Sequence, residues 1–246
     1  MKARQLMVFR LLAFTFSILF MLSALAQDAV PGEILGRTFM IHAGNEQATC
    51  FTLDYQGKLF LVTARHVVAG MPTDGAVIQL RQNGEWKDLH VSKILFPSSD
   101  DVDIAVLKTD QTIPQPFGVT ASGELNGVTM GQQVWFLGYP FLEGLSSHWN
   151  GGGEAPFIKR GTMSAIVATN PDAIVLYIDG FNNKGFSGGP ILYWSFSAHA
   201  YRILGVVKGY RNDHAQTVIN GQQVDTNLLV IQAFWSGTAF NTRLMR

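Results

Sequence analysis

Late in the chain, Lys184-Gly185-Phe186-Ser187-Gly188-Gly189-Pro190 sets one serine among glycines. A serine hydroxyl becomes a useful nucleophile only when a base takes its proton and fixed donors receive the oxyanion that forms. The glycines allow a sharp turn and leave amide N–H groups unobstructed by side chains. A plain glycine-rich turn between strands would use the same residues, so the stretch needs partners elsewhere. His66, in Leu61-Val62-Thr63-Ala64-Arg65-His66, follows an apolar strand and offers a proton acceptor near neutral pH. His42, His90, His148, His199 and His214 have no motif around them and read as surface or core residues. Asp103 stands directly before the apolar run Ile104-Ala105-Val106-Leu107. A carboxylate buried at the end of such a strand can fix an imidazole's tautomer and stabilise the imidazolium. Asp100 and Asp101 read as capping or solvated neighbours.

Positioning these three side chains falls to a chain of short strands. The segment over 1–26 is set aside first. Lys2, Arg4 and Arg10 precede an apolar run from Leu11 to Leu25, and Ala24-Leu25-Ala26 ends it with small-x-small residues. That is the pattern of a cleaved secretory signal, and the run is short for a bilayer span. Without those three cations, 15 basic residues face 18 acids, a net charge of −3. With no basic cluster anywhere, a nucleic-acid partner is not expected. Cys50 is the single cysteine, which excludes an internal disulfide and a structural zinc site of several cysteines. An exported chain without disulfides suits a bacterial envelope or extracellular setting, and no cofactor or metal is expected.

Strands are expected over Leu35–His42, Ala48–Leu53, Lys58–Thr63, Ala76–Arg81, Glu85–Leu89, Val91–Phe96 and Ile104–Lys108. Asn83-Gly84 between two of them is a strong hairpin signal. A stretch rich in Pro, Gly, Thr and Ser then reads as a connector, about 111–130. The second half offers Gln133–Leu137, Phe157–Thr169, Ala173–Asp179, Pro190–Trp194, Arg202–Gly209 and Asn227–Phe234, with a short helix over Ser236–Leu244. Phe141–Pro156, rich in Gly and Ser, reads as a loop near the site. Roughly six strands in each half argue for an all-β fold of two packed barrels. The first spans about 33–110 and the second about 131–246.

Taken together, the chain resembles the trypsin-like serine proteases of the chymotrypsin fold. The resemblance rests on Thr63-Ala64-Arg65-His66, Asp103-Ile104-Ala105-Val106-Leu107 and Gly185-Phe186-Ser187-Gly188-Gly189-Pro190 in that order. It extends to Val134-Trp135-Phe136-Leu137-Gly138-Tyr139-Pro140, Gly161-Thr162-Met163-Ser164 and Gly205-Val206-Val207-Lys208-Gly209. In style these phrases are similar to the bacterial high-temperature-requirement proteases, although no PDZ-like domain follows the second half. The resemblance implies two six-stranded antiparallel barrels with the active site in the cleft between them. It implies Ser187 as nucleophile, His66 as base and acid, Asp103 as orienting carboxylate, and the amides of Gly185 and Ser187 as the oxyanion hole. Substrates would be proteins or peptides, with Phe181, Lys208, Gly209 and Tyr210 lining the binding side. Phe181, six residues before the nucleophile, implies an apolar primary pocket and cleavage after small or medium apolar residues. Two departures stand out. Phe186 replaces the Asp that zymogen-type members pair with a new N-terminus, so activation by that route is not expected. Lys208 replaces a serine that supports the triad Asp, leaving its own role open.

Two other readings use the same residues. Gly185-x-Ser187-x-Gly189 fits the nucleophile elbow of α/β-hydrolases, but that fold needs the acid and histidine downstream, on alternating strands and helices. The same barrels could also serve as a catalytically silent binding or scaffold protein, since fold does not fix function.

Overall fold

The computed structural model describes residues 29–55, 57–113, 125, 127–140, 147–148, 154–170, 173–211, 215–226 and 230–235. The expected signal over 1–26, most of the connector and the terminal helix over 236–244 lie outside them.

A helical turn, Gly32–Leu35 (α1), opens the described chain. Thr38–Ala43 (β1), Glu46–Tyr55 (β2) and Lys58–Thr63 (β3) follow as an antiparallel meander. After the short helix Arg65–Val68 (α2) come Asp74–Gln82 (β4), Glu85–Leu95 (β5) and Ala105–Lys108 (β6). These six strands close a barrel in the order β1-β2-β3-β6-β5-β4. The β4–β5 connection is the expected Asn83-Gly84 turn, with φ of 53° and 82° at its two residues, as a two-residue hairpin requires. Inward residues such as Ile41, Cys50, Leu61, Ile78, Leu80 and Leu107 fill the barrel.

The second barrel is built from Gln133–Gly138 (β7), Phe157–Asn170, Ala173–Asp179, Pro190–Ser195, Ala200–Arg211 and Val230–Trp235. Two ribbons interrupt that series. Ser147–His148 (β8) pairs with Glu154–Ala155 (β9), and Ala215–Ile219 (β14) pairs with Gln222–Thr226 (β15). The other barrel strands are therefore β10 (Phe157–Asn170), β11 (Ala173–Asp179), β12 (Pro190–Ser195), β13 (Ala200–Arg211) and β16 (Val230–Trp235), closed as β10-β11-β16-β13-β12-β7. Phe136, Met163, Leu176, Phe186, Ile191 and Leu204 pack inside.

The expected architecture of two six-stranded antiparallel barrels is present, with differences at element level. Leu35 lies in α1, not in β1. It and Ile34 are buried by a helical turn, and a short apolar run does not distinguish that turn from a strand. β5 runs unbroken through His90, because Leu89 and Val91 both face the core with His90 outward between them. The β14–β15 hairpin was not expected. Its signal is the Asn220-Gly221 turn, at φ 52° and 77°, the same chemistry as Asn83-Gly84. Within the expected loop over 141–156, the β8–β9 ribbon is described and most of the remainder is not.

Candidate active site

Strand pairing brings the first two candidate residues together. β3 and β6 are antiparallel neighbours, with Thr63 opposite Ala105, so the exit from β3 lies beside the entry to β6. His66 follows that exit in α2, and Asp103 precedes that entry between the fully buried Val102 and Ile104. Asp103 Oδ2 lies 2.7 Å from His66 Nδ1, and Asp103 Oδ1 accepts the His66 backbone N–H at 2.9 Å. Two bonds to one residue lock the carboxylate against the ring. The imidazole is 47% exposed and the carboxylate only 12%, so the ring reaches from a buried anchor into open space. This arrangement leaves Nε2 as the nitrogen available to a substrate or nucleophile.

The charge on His66 follows from the same contacts. The hydrogen bond to Asp103 pushes the imidazole pKa above its ordinary value. Partial burial opposes the shift, while the charges of Asp103 and Glu46 add to it and Lys208 pulls against it. Lys208 is thus electrostatically coupled to the histidine, and its side chain is exposed.

Ser187 is carried by the turn that leads into β12. Gly188 N donates to Val207 O at 2.8 Å, and Val207 N donates to Gly189 O at 2.9 Å, which pins the turn to β13. The first barrel holds its other side through one residue, Thr49 of β2, which is fully buried. Thr49 Oγ1 donates to Gly185 O at 2.6 Å and accepts from Tyr139 N at 3.1 Å, while Thr49 N donates to Ser187 O at 2.9 Å. Thr63 Oγ1 in turn donates to Thr49 O at 2.8 Å. The approach is so close that a Cβ on Gly188 would collide with Thr49 O, Thr63 Oγ1 and Ala64 N. Gly188 and Gly185 also have φ of 82° and 101°, where an L side chain is strained. The glycines flanking Ser187 are therefore required by both space and backbone conformation.

Two features of the turn bear on chemistry. The N–H groups of Gly185 and Ser187 donate to no protein acceptor among the described residues. Ser187 Oγ donates to Lys208 O at 3.2 Å, and no bond joins it to His66 in this state. Lys208 thus touches Ser187 through its backbone, a role the sequence left open.

On the expected substrate side, Asn182 Nδ2 donates to Gly209 O at 3.3 Å and ties the segment before the turn to β13. The Phe181 ring is 66% exposed. The Tyr210 side chain lies outside the described residues. Thr49 escaped the sequence reading because a threonine in a strand is ordinary, and Thr63 was read only as part of the motif before His66; the packing of one barrel on the other gives both a task. No cluster of three or more potential metal ligands occurs among the described residues.

Residues 48–194 match the model of the trypsin-like peptidase domain. No curated protein matches the sequence. Among solved structures, an inactive form of Rv3671c from M. tuberculosis H37Rv is similar at 18% identity and a TM-score of 0.54, over 85% of each chain. A further structure of the Rv3671c protease in an inactive form gives 17% identity and the same TM-score, over 87% of this chain and 91% of that one. The HtrA-type protease AlgW with a tripeptide gives 18% identity and a TM-score of 0.54, over 85% of this chain but 59% of the neighbour. At such identities the likeness is one of fold.

Proposed function

The chain belongs to the trypsin-like peptidase family, a family of serine-type peptidases, and on that footing we propose that it cleaves peptide bonds internally through Ser187, His66 and Asp103. The observation that carries this reading is the doubly fixed carboxylate of Asp103 against the half-exposed His66 ring. Substrate entry moves the Ser187 hydroxyl from Lys208 O to His66 Nε2. The oxygen attacks the scissile carbonyl carbon as its proton passes to Nε2, and Asp103 stabilises the imidazolium. The carbonyl oxygen, now negative, lies against the Gly185 and Ser187 amides. One such donor is typically worth about 2.7–4 kcal/mol in the transition state. His66 returns the proton to the departing amine, the C–N bond breaks and an acyl-Ser187 ester remains. Water then attacks that ester with His66 as base, releasing the acid and restoring the hydroxyl.

Labelling by a fluorophosphonate probe tests the reading, since it reports a serine activated by its base. Wild-type protein labels, while Ser187→Ala and His66→Ala do not. A folded wild type that fails to label overturns the hydrolase mechanism and favours a binding protein on the same barrels.

Cleavage after small or medium apolar residues is proposed on Phe181 and the absence of an acid there, and a peptide-library profile with cleavage after Lys or Arg would refute it. Export to a bacterial periplasm or medium, with cleavage after Ala26, is proposed on the leader pattern. The N-terminal sequence of the protein recovered outside the cytoplasm checks it.

A further inference from the structure

Gly185 poses a problem that its own conformation does not solve. Its N–H belongs to the Lys184–Gly185 peptide, and glycine populates both signs of φ with little penalty. A flip of that peptide would turn Lys184 O into the site in place of the Gly185 N–H. Downstream, the bond from Thr49 to Gly185 O holds one side. Something must therefore hold the chain upstream, where residues 181–183 belong to no strand.

Asn182 ties that segment to β13, and one further side chain ties it to β10. Lys159 projects from β10, whose backbone is fixed there by pairing with Phe136 of β7. Its ammonium donates to Phe181 O at 3.0 Å and to Asn183 Oδ1. It also lies 5.0 Å from the centre of the Phe181 ring and 4.9 Å from that of Phe186. Phe186 is fully buried and packs edge-on against Phe136 at 5.3 Å. Asn183 is tied to Asn182 and to Phe186, through its own N–H to Asn182 Oδ1 at 2.8 Å and from Phe186 N to Asn183 O at 3.5 Å. Among the described residues no carboxylate pairs with the Lys159 ammonium. A partly desolvated cation without a counter-ion is costly. Here carbonyl dipoles and two aromatic faces take the place of the missing charge.

We propose that Lys159 is a positioning residue that fixes the Gly185 N–H toward the site by clamping Phe181, Asn183 and Phe186 to β10. The strand supplies the rigidity and the ammonium supplies three directions of contact at once. Burial, which pushes the lysine pKa below its ordinary value, agrees with an ammonium drawn against apolar rings. This inference rests on the proposed hydrolase mechanism for its kinetic consequence, but not for its structural one.

The test uses the whole protein and a fluorophosphonate probe, reading the maximal labelling rate kinact and the half-saturating concentration KI. Lys159→Met lowers kinact about 10- to 100-fold, the scale of a misplacement near 1 Å, and leaves KI within about twofold. Lys159→Arg, which keeps charge and donors, restores part of the rate. Asn183→Ala removes the other end of the same tie, so its loss matches that of Lys159→Met and does not multiply with it in the double variant. Hydrogen exchange of the amides over 184–187 rises in both single variants. Should Lys159→Met fail to fold, Asn183→Ala carries the comparison. Wild-type kinact and exchange in both single variants would overturn the inference while leaving the hydrolase intact, as would losses that multiply in the double variant. If the wild type does not label at all but exchange still rises in the variants, the hydrolase mechanism fails and the clamp stands.

Discussion

In the proposed mechanism, His66 serves stability and catalysis in opposite protonation states. The Asp103 hydrogen bond raises its pKa in the folded protein above the ordinary value near 6.5. A raised folded pKa means that the protonated ring favours folding. That contribution is complete below the unfolded value and is lost as pH rises through the folded one. The proposed base catalysis requires the neutral ring, so on that reading fluorophosphonate labelling grows as pH rises through the same folded value. Thermal melting temperature should therefore fall, and labelling rate rise, across one window above about pH 6.5. The neighbours tune its position. Glu46→Gln removes a charge that raises the pKa and shifts the labelling profile to lower pH, whereas Lys208→Met removes an opposing charge and shifts it higher. The ring is half exposed, so salt screens both effects and they shrink at high ionic strength. A profile that fails to move in opposite directions for the two variants would refute this electrostatic account.

At the scale of elements, the Ser187 turn of one barrel is held by a threonine of the other. Thr49 satisfies Gly185 O and Tyr139 N with a single hydroxyl, in a place from which water is excluded. Thr49→Val keeps the shape and removes the hydroxyl, leaving both groups without that partner. A buried polar group left unpaired costs about 1–3 kcal/mol. We expect destabilisation on that scale by urea unfolding, together with slower labelling of Ser187, and recovery of both in Thr49→Ser. Slower labelling without any loss of stability would show that the hydroxyl orients the turn without supporting it. This contact also marks where sequence reading stops. His66, Asp103 and Ser187 were legible as candidates because each stands at the mouth of an apolar run, and β3 beside β6 brings the first two together. Asn83-Gly84 was legible as a turn because two successive residues at positive φ demand that chemistry. Thr49 and Lys159 were not, since their partners lie far along the chain and no local pattern announces them. Asn220-Gly221 carried a readable signal and still went unread, because the polar residues around it lack the apolar alternation that identifies strands.

For the molecule as a whole, the question is whether the two barrels unfold together. Each has its own core, so separate unfolding is conceivable. Against it, Thr49 and Thr63 of the first barrel press on the Ser187 turn of the second at contacts too close for any side chain on Gly188. Tyr139, which follows β7, also donates its hydroxyl to Thr38 O at 2.8 Å in β1. Opening either barrel would leave these buried polar groups unpaired, which couples the two cores. Cys50 makes the coupling measurable, being the only cysteine of the chain and fully buried in the first barrel. Burial pushes its thiol pKa up, so both access and thiolate formation await unfolding. Four of the five tryptophans (Trp135, Trp149, Trp194 and Trp235) follow residue 130, so fluorescence reports chiefly on the second half. In a urea series, thiol labelling of Cys50 and the fluorescence change should share one midpoint, as coincident transitions require of a two-state protein. Labelling that precedes the fluorescence change would mean that the first barrel opens alone, and that the contacts through Thr49 and Tyr139 do not bind the two barrels into one cooperative unit.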